Sequence, residues 1–210
     1  MTENKEIDLI KRALKKGKHT GESDDGWARK RAKVALEHVK GKNLKVLNAG
    51  CGYGYDSHEF KKAGHYVIGV DFNKELVDFA VKNGFQDEGY VCDLNEKLPF
   101  SDEEFDIIFC SEVIEHLPII DTFLEECKRI LVGGGLLLIT TDNPAYIKHR
   151  FRLLLGNADL LFSPAHVHLY TPKKLCKILE QHNFRIIKVK NIGRWLFPSL
   201  GDVYLVVAKN

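Results

Sequence analysis

The chain has 210 residues, of which 44% are hydrophobic and 29% charged, with a formal net charge of +2. That length and core fraction fit one domain with a small appendage and exclude a disordered chain. No apolar run reaches the roughly 18–20 residues of a membrane span, and the charged start MTENKEIDLIKRALKK is unlike a signal peptide. The five cysteines are scattered, with no C-x-x-C spacing. They argue for a reducing, cytoplasmic setting and against a disulfide framework or a cysteine zinc site.

Charge is uneven along the chain. Residues 1–42 carry 12 Lys/Arg against 7 Asp/Glu, while the remaining residues carry 19 against 22. The cluster Arg29-Lys30-Arg31-x-Lys33 suits a phosphate or an anionic partner, but it reads first as a solvated helix face, and with no aromatic residue interleaved it is not a base-stacking platform. A net charge this small gives no sign of a nucleic-acid partner.

Ile7, Ile10 and Leu14 share a helical face and predict a first helix over 4–16. A polar, glycine-rich loop over 17–26 precedes a second helix over 26–39. We take residues 1–42 as an N-terminal helical extension that covers the pocket of a domain spanning 43–210. Within that domain strands and helices alternate. Strands are expected at Lys45–Ala49, Tyr66–Val70, Gly89–Cys92, Phe105–Cys110 and Leu136–Thr141. Helices are expected at Asp56–Ala63, Lys74–Lys82 and, from the spacing of Ile120, Phe123, Leu124, Cys127, Ile130 and Leu131, across 120–131. The triplet Gly133-Gly134-Gly135 is read as the stop of that last helix. Thr171-Pro172 opens another helix, and Arg185–Val189 and Val203–Ala208 close the chain as strands. This alternation predicts an α/β, doubly wound, mostly parallel sheet, whose ligand sits beyond the carboxyl ends of the strands.

The residues after those ends carry the chemistry. The first strand leads into Asn48-Ala49-Gly50-Cys51-Gly52-Tyr53-Gly54, where glycines let a ligand approach the main chain. Asp71 follows the second strand, 21 residues beyond Gly50, an offset suited to accepting from both hydroxyls of a ribose. Asp93 follows the third strand. Ser111-Glu112 and Glu115-His116 follow the fourth. This ordered set points to a nucleoside-bearing cofactor. The spacing is G-x-G-x-G rather than the dinucleotide G-x-G-x-x-G, and Asp56 at the helix start would repel a pyrophosphate. A nicotinamide-dependent oxidoreductase is thereby disfavoured, and the missing G-K-[ST] excludes a P-loop nucleotidase.

VLNAGCGYG, VIGVDFN, the CDL at 92–94, FDIIFCSEVIEHL and ILVGGGLLLITT resemble the successive motifs of class I S-adenosylmethionine-dependent methyltransferases. HVHLYTPKKLCKILEQHNF extends the likeness to the methyltransferase-11-like branch. The resemblance implies a Rossmann-like seven-stranded sheet with its last strand antiparallel, S-adenosyl-L-methionine as cofactor, and methyl transfer as the activity. It implies that Gly50, Cys51, Gly52 and Gly54 lie against the methionine part of the cofactor. Asp71 would bind the ribose with Phe72 beside the adenine, Asp93 and Leu94 would meet the adenine edge, and Ser111 and Glu112 would line the pocket near the methyl. Asn48 stands where the family usually has Asp or Glu, so it keeps an acceptor oxygen but loses the charge.

Methyl transfer from a sulfonium is an in-line displacement that positioning can largely catalyse, with a base needed only where the acceptor loses a proton. His116, His166 and His168 are the candidate bases. A small-molecule acceptor is the first expectation, because no dedicated macromolecule-binding module is present and residues 151–162 are apolar, as a lid or wall for an apolar acceptor would be. No resident metal is expected. The alternative is an RNA or protein acceptor. Its sharpest form is metal-assisted RNA 2′-O-methylation through Glu112, Glu115 and His116 with His166 or His168, set out like the E-x-x-E-H … H pattern of small-RNA terminal methyltransferases. A cofactor-binding regulatory module without turnover is a further rival.

Overall fold

The computed structural model describes residues 25–155, 166–192 and 201–210. The expected first helix, most of the loop after it, the later part of the apolar 151–162 segment, and Trp195, Phe197 and Pro198 lie outside the described residues. In chain order the elements are α1 (Asp25–Leu36), β1 (Lys45–Ala49), α2 (Tyr55–Lys62), β2 (Tyr66–Asp71), α3 (Lys74–Lys82) and β3 (Glu88–Val91). They continue with β4 (Phe105–Ser111), a 3-10 turn (Ile114–His116), α4 (Ile120–Ile130), β5 (Leu131–Asp142), α5 (Ile147–Leu154), α6 (Pro172–Gln181), β6 (Arg185–Asn191) and β7 (Val203–Lys209).

The seven strands form one sheet in the order β3-β2-β1-β4-β5-β7-β6. β1 to β5 pair in parallel, and β7 is antiparallel to both of its neighbours. The order reverses between β1 and β4, so the carboxyl ends of these two strands flank the crevice where ligands bind in open α/β sheets.

Successive side chains of a strand point to opposite faces, and the core divides accordingly. Leu47, Ile108, Cys110 and Ile139 pack on one face with Phe123 and Leu124 of α4 and Leu175 and Leu179 of α6. Val46, Ile107, Phe109 and Leu138 pack on the other with Phe60 of α2 and Ala32 and Ala35 of α1. Small alanines let α1 lie close to the sheet, so it forms a layer of this same core.

Two expectations fail, each for a local reason. The glycine triplet does not end a helix. α4 stops at Ile130, Leu131 is already extended, and the glycines belong to β5. Between the pairs Phe105↔Leu131 and Ile107↔Leu136 the register shifts, with Gly134 at φ +86°, so the triplet makes a bulge that only glycine accommodates without strain. The basic cluster is not wholly a solvated face either. Lys30 and Lys33 are exposed, but Arg29 is half-buried and Arg31 is only 8% exposed.

Candidate functional site

The turn after β1 is held by the end of β2. The N–H groups of Gly50 and Cys51 both donate to the carbonyl of Val70, at 2.8 Å each. Gly52 N–H donates to Asp71 Oδ2 at 3.0 Å, and Asn73 N–H donates to Asp71 Oδ1 at 2.9 Å. These bonds fix the orientation of the Asp71 carboxylate beside the turn. Gly50, Gly52 and Gly54 all have positive φ. A Cβ on Gly50 would lie 2.3 Å from Val113 Cγ2, and one on Gly54 would lie 2.6 Å from the Ala80 Cβ. Two of the three glycines are therefore required by packing as well as by φ.

Asp93 Oδ1 accepts from both the backbone and the side-chain amide of Asn95, and Leu94 beside it is buried. Phe72 is 38% exposed, next to Asp71 at the same edge of the sheet. Asn48 is fully buried and donates from Nδ2 to Ser57 Oγ at 2.8 Å. Its side chain is thus engaged with α2 beneath the turn.

At the end of β4 the structure adds a residue that the sequence reading passed over. Arg31 Nε of α1 donates to Ser111 Oγ at 2.8 Å, and a hydrogen bond of 3.0 Å joins the Ser111 and Thr140 hydroxyls. Arg31 thereby places a buried cation at the carboxyl ends of β4 and β5. The one sequence signal for it was its place in a charged run on a helix whose alanines, at 28, 32 and 35, mark the buried face. Glu112 has φ +55°, donates its N–H to the Thr140 carbonyl at 3.0 Å, and accepts from Thr140 Oγ1 at 3.1 Å. A left-handed glutamate at a strand end is uncommon and turns the chain sharply into the 3-10 turn.

Glu115, on that turn, is 2% exposed and accepts from Thr141 Oγ1 at 2.9 Å, while its Oε1 has no hydrogen-bond partner. Adjacent residues of β5 face opposite ways, so Thr140 and Thr141 draw Glu112 and Glu115 to opposite sides of the sheet. The carbonyl of Glu115 accepts from Val167 N–H at 2.9 Å and from His168 N–H at 3.2 Å, which pins the histidine loop to the turn. His116 and His166 then meet edge to face, with ring centroids 4.9 Å apart. Ligand atoms of Glu115, His116 and His166 all lie within 4.8 Å of one another. His168 is directed elsewhere. Its Nε2 lies 3.0 Å from the Pro118 carbonyl and must carry the proton there. The candidate histidines therefore separate, with His116 and His166 together and His168 apart. Of the residues named for the metal alternative, Glu115, His116 and His166 are brought together, while Glu112 and His168 lie outside that group.

Burial sets the electrostatics of this corner. It pushes the Glu115 carboxyl up to about 7, with Asp142 adding to the effect. It also raises Glu112 well above the carboxylate range, reinforced by Glu115 and Asp142 and opposed by Arg31. His166 is lowered, chiefly by burial, so its imidazole is neutral near pH 7. A neutral imidazole beside a proton-holding carboxyl can accept and pass on a proton in this range.

Residues 47–139 match a family model described as "Methyltransferase domain". The chain carries a methyltransferase domain over that span. The turn at Gly50–Gly54, Asp71 and the residues after β4 all fall inside the matched span. The chain is 29% identical over 171 residues to the "Ubiquinone biosynthesis O-methyltransferase" of Coxiella burnetii (strain RSA 493 / Nine Mile phase I), covering 77% of this chain and 72% of that protein. It is 30% identical over 183 residues to the human protein "Ubiquinone biosynthesis O-methyltransferase, mitochondrial". It spans about half the length of the mammalian relatives, 47% for mouse and 49% for human. A SAM-dependent methyltransferase from Aquifex aeolicus superposes with a TM-score of 0.70 at 20% identity, covering 97% of both chains. One from Archaeoglobus fulgidus gives 0.71 at 22%, covering 89% of this chain and 94% of that one. These likenesses show that the methyltransferase fold extends well beyond the matched span. Among the described residues no helix is long and apolar enough to cross a membrane.

Proposed function

We propose that this protein transfers the methyl group of S-adenosylmethionine to a hydroxyl of a small-molecule acceptor. The observation that carries the reading is the Glu115–His116–His166 corner, placed after β4 on the same edge of the sheet as the glycine turn and Asp71. The relatives named as O-methyltransferases of ubiquinone biosynthesis support a hydroxyl-bearing small molecule as acceptor. A cytoplasmic setting fits the five free cysteines.

In this reading Asp71 would accept from the ribose hydroxyls, Asp93 and Leu94 would hold the adenine edge, and Phe72 would cover the ring. Gly50, Cys51, Gly52 and Gly54 form the wall along the methionine part. Arg31 supplies the cation opposite the cofactor's carboxylate. Asn48 supports the turn from below. Ser111 and Glu112 bound the pocket near the methyl, and α1 closes its side. The acceptor oxygen attacks the methyl carbon in line as the C–S bond breaks, and S-adenosylhomocysteine leaves. The acceptor's proton goes to His116 or His166, whose imidazoles adjoin Glu115. Methyl-labelled cofactor and a panel of phenols and catechols test this, with labelled methyl ether as the expected product and no labelled ether as the contrary result.

A second reading has its own observation. Glu115, His116 and His166 present one carboxylate and two imidazoles within 4.8 Å, and the buried Glu115 carboxylate keeps one oxygen, Oε1, without a hydrogen-bond partner. This donor set fits a divalent cation of the manganese or zinc type. When bound, such an ion would acidify an acceptor hydroxyl. Turnover lost with EDTA and restored by one divalent metal would favour this reading, and turnover indifferent to EDTA would remove it.

A further inference from the structure

The turn that meets the cofactor rests on a buried amide that no catalytic argument has used. Gln86, between α3 and β3, is 1% exposed. It lies across the sheet where two strands lack side chains. A Cβ on Gly69 of β2 would fall 2.0 Å from Gln86 Oε1, and a Cβ on Gly89 of β3 would fall 2.9 Å from Gln86 Nε2. Neither glycine has a positive φ, so their role is the slot and not the backbone conformation.

From that slot Gln86 reaches the underside of the turn. Ser57 Oγ, in the first turn of α2, donates to Gln86 Oε1 at 3.2 Å, and Asn48 Nδ2 of β1 donates to Ser57 Oγ at 2.8 Å. The Gln86 amide also stands beside the Cys51 thiol. One side chain thus links β1, α2 and the Gly50–Gly54 turn while seated on β2 and β3. The donors run one way, from Asn48 through Ser57 to Gln86. They leave an unused acceptor at Asn48 Oδ1 and an unused donor at Gln86 Nε2. A methionine or leucine would fill the slot without burying an amide, and a buried amide is costly unless its hydrogen bonds serve the structure.

We propose that Gln86 is a positioning residue for the cofactor. Acting through Ser57 and Asn48, it holds the glycine turn in its cofactor-binding shape. The inference rests on the reading of that turn as the cofactor wall. It also accounts for Asn48. An amide at this position can donate to Ser57, whereas an acid would compete with Gln86 for the single Ser57 hydroxyl proton.

The test titrates wild type, Gln86→Met, Ser57→Ala and the double variant with S-adenosylmethionine by calorimetry, well below their melting temperatures. Melting temperatures without cofactor are recorded alongside. Each single variant is expected to raise Kd about tenfold, the order set by losing one buried hydrogen bond. The double variant should be no weaker than the worse single, because both changes remove the same link. Gln86→Met roughly conserves volume. If it nevertheless fails to fold, Ser57→Ala, which removes one oxygen, carries the test. Folded variants with lowered melting temperature but unchanged Kd would show a merely structural role and overturn the proposal. Independent losses that multiply to about a hundredfold in the double variant would overturn it too. Failure of the wild type to bind would overturn both this inference and the reading of the turn, and so is distinguishable from failure of the inference alone.

Discussion

Arg31 Nε donates to Ser111 Oγ across 2.8 Å and thereby ties α1 to the last residue of β4. The same guanidinium opposes the raised Glu112 carboxyl. Arg31→Met should raise the Kd for S-adenosylmethionine by roughly ten- to a hundredfold, the range for a hydrogen bond to a charged group. Arg31→Lys should not restore it, because an ammonium cannot bond Ser111 and a carboxylate with one planar fork. Calorimetric titration measures both. Unaltered affinity in Arg31→Met would remove the residue from the cofactor site.

Asp71 is oriented by two backbone N–H groups, from Gly52 and Asn73. Asp71→Asn, which keeps one acceptor, should weaken cofactor binding by about tenfold, and Asp71→Ala by about a hundredfold. Equal effects from the two substitutions would mean that the carboxylate serves the turn alone and not the ribose.

Gly54 has φ +79°, and its missing Cβ leaves room for Ala80 and Phe85 of the neighbouring elements. Gly54→Ala should destabilise the fold by about 2–4 kcal/mol, combining backbone strain with overpacking. Ala80→Gly in the same chain should recover the packing part and leave the backbone part. Chemical denaturation reads both, and a neutral Gly54→Ala would contradict the close approach.

Glu115 gives the stability a sign with pH. Its carboxyl is held up to about 7 in the folded protein against an ordinary 4.5, so the folded state binds the proton more tightly than the unfolded one. Stability from this group is full below pH 4.5 and is lost as pH rises toward 7. Glu115→Gln removes that loss. It should match wild type near pH 4.5 and exceed it at pH 8 by up to about 3 kcal/mol, given 1.36 kcal/mol per pKa unit. A stability difference that stayed constant with pH would contradict the assignment.

Much of this was legible in the sequence because it is local. The glycine turn, Asp71 and Asp93 each follow a strand directly, and strand ends are where a parallel sheet presents its ligand groups. What escaped is what depends on packing. Arg31 sits in a run whose exposed members, Lys30 and Lys33, look the same in sequence, and only the docking of Ala28, Ala32 and Ala35 decides which cation turns inward. The Gly133–Gly135 triplet suits a helix stop and a bulge equally, since either uses glycine's freedom at positive φ. His166 and His168 are separated by one residue. Two successive N–H groups bonded to the Glu115 carbonyl bend the loop so that the first joins His116 and the second turns to Pro118. Gln86 gave no signal in the sequence, because its slot is made by glycines on two different strands.

The fate of the methyl group decides the chemistry. Purified protein, methyl-labelled S-adenosylmethionine and extract of the source cells are incubated with and without EDTA. The products are then divided into small-molecule, RNA and protein fractions. Label is expected in the small-molecule fraction as a methyl ether, diminished by Arg31→Met and by Asp71→Ala. Label confined to RNA or protein would contradict it.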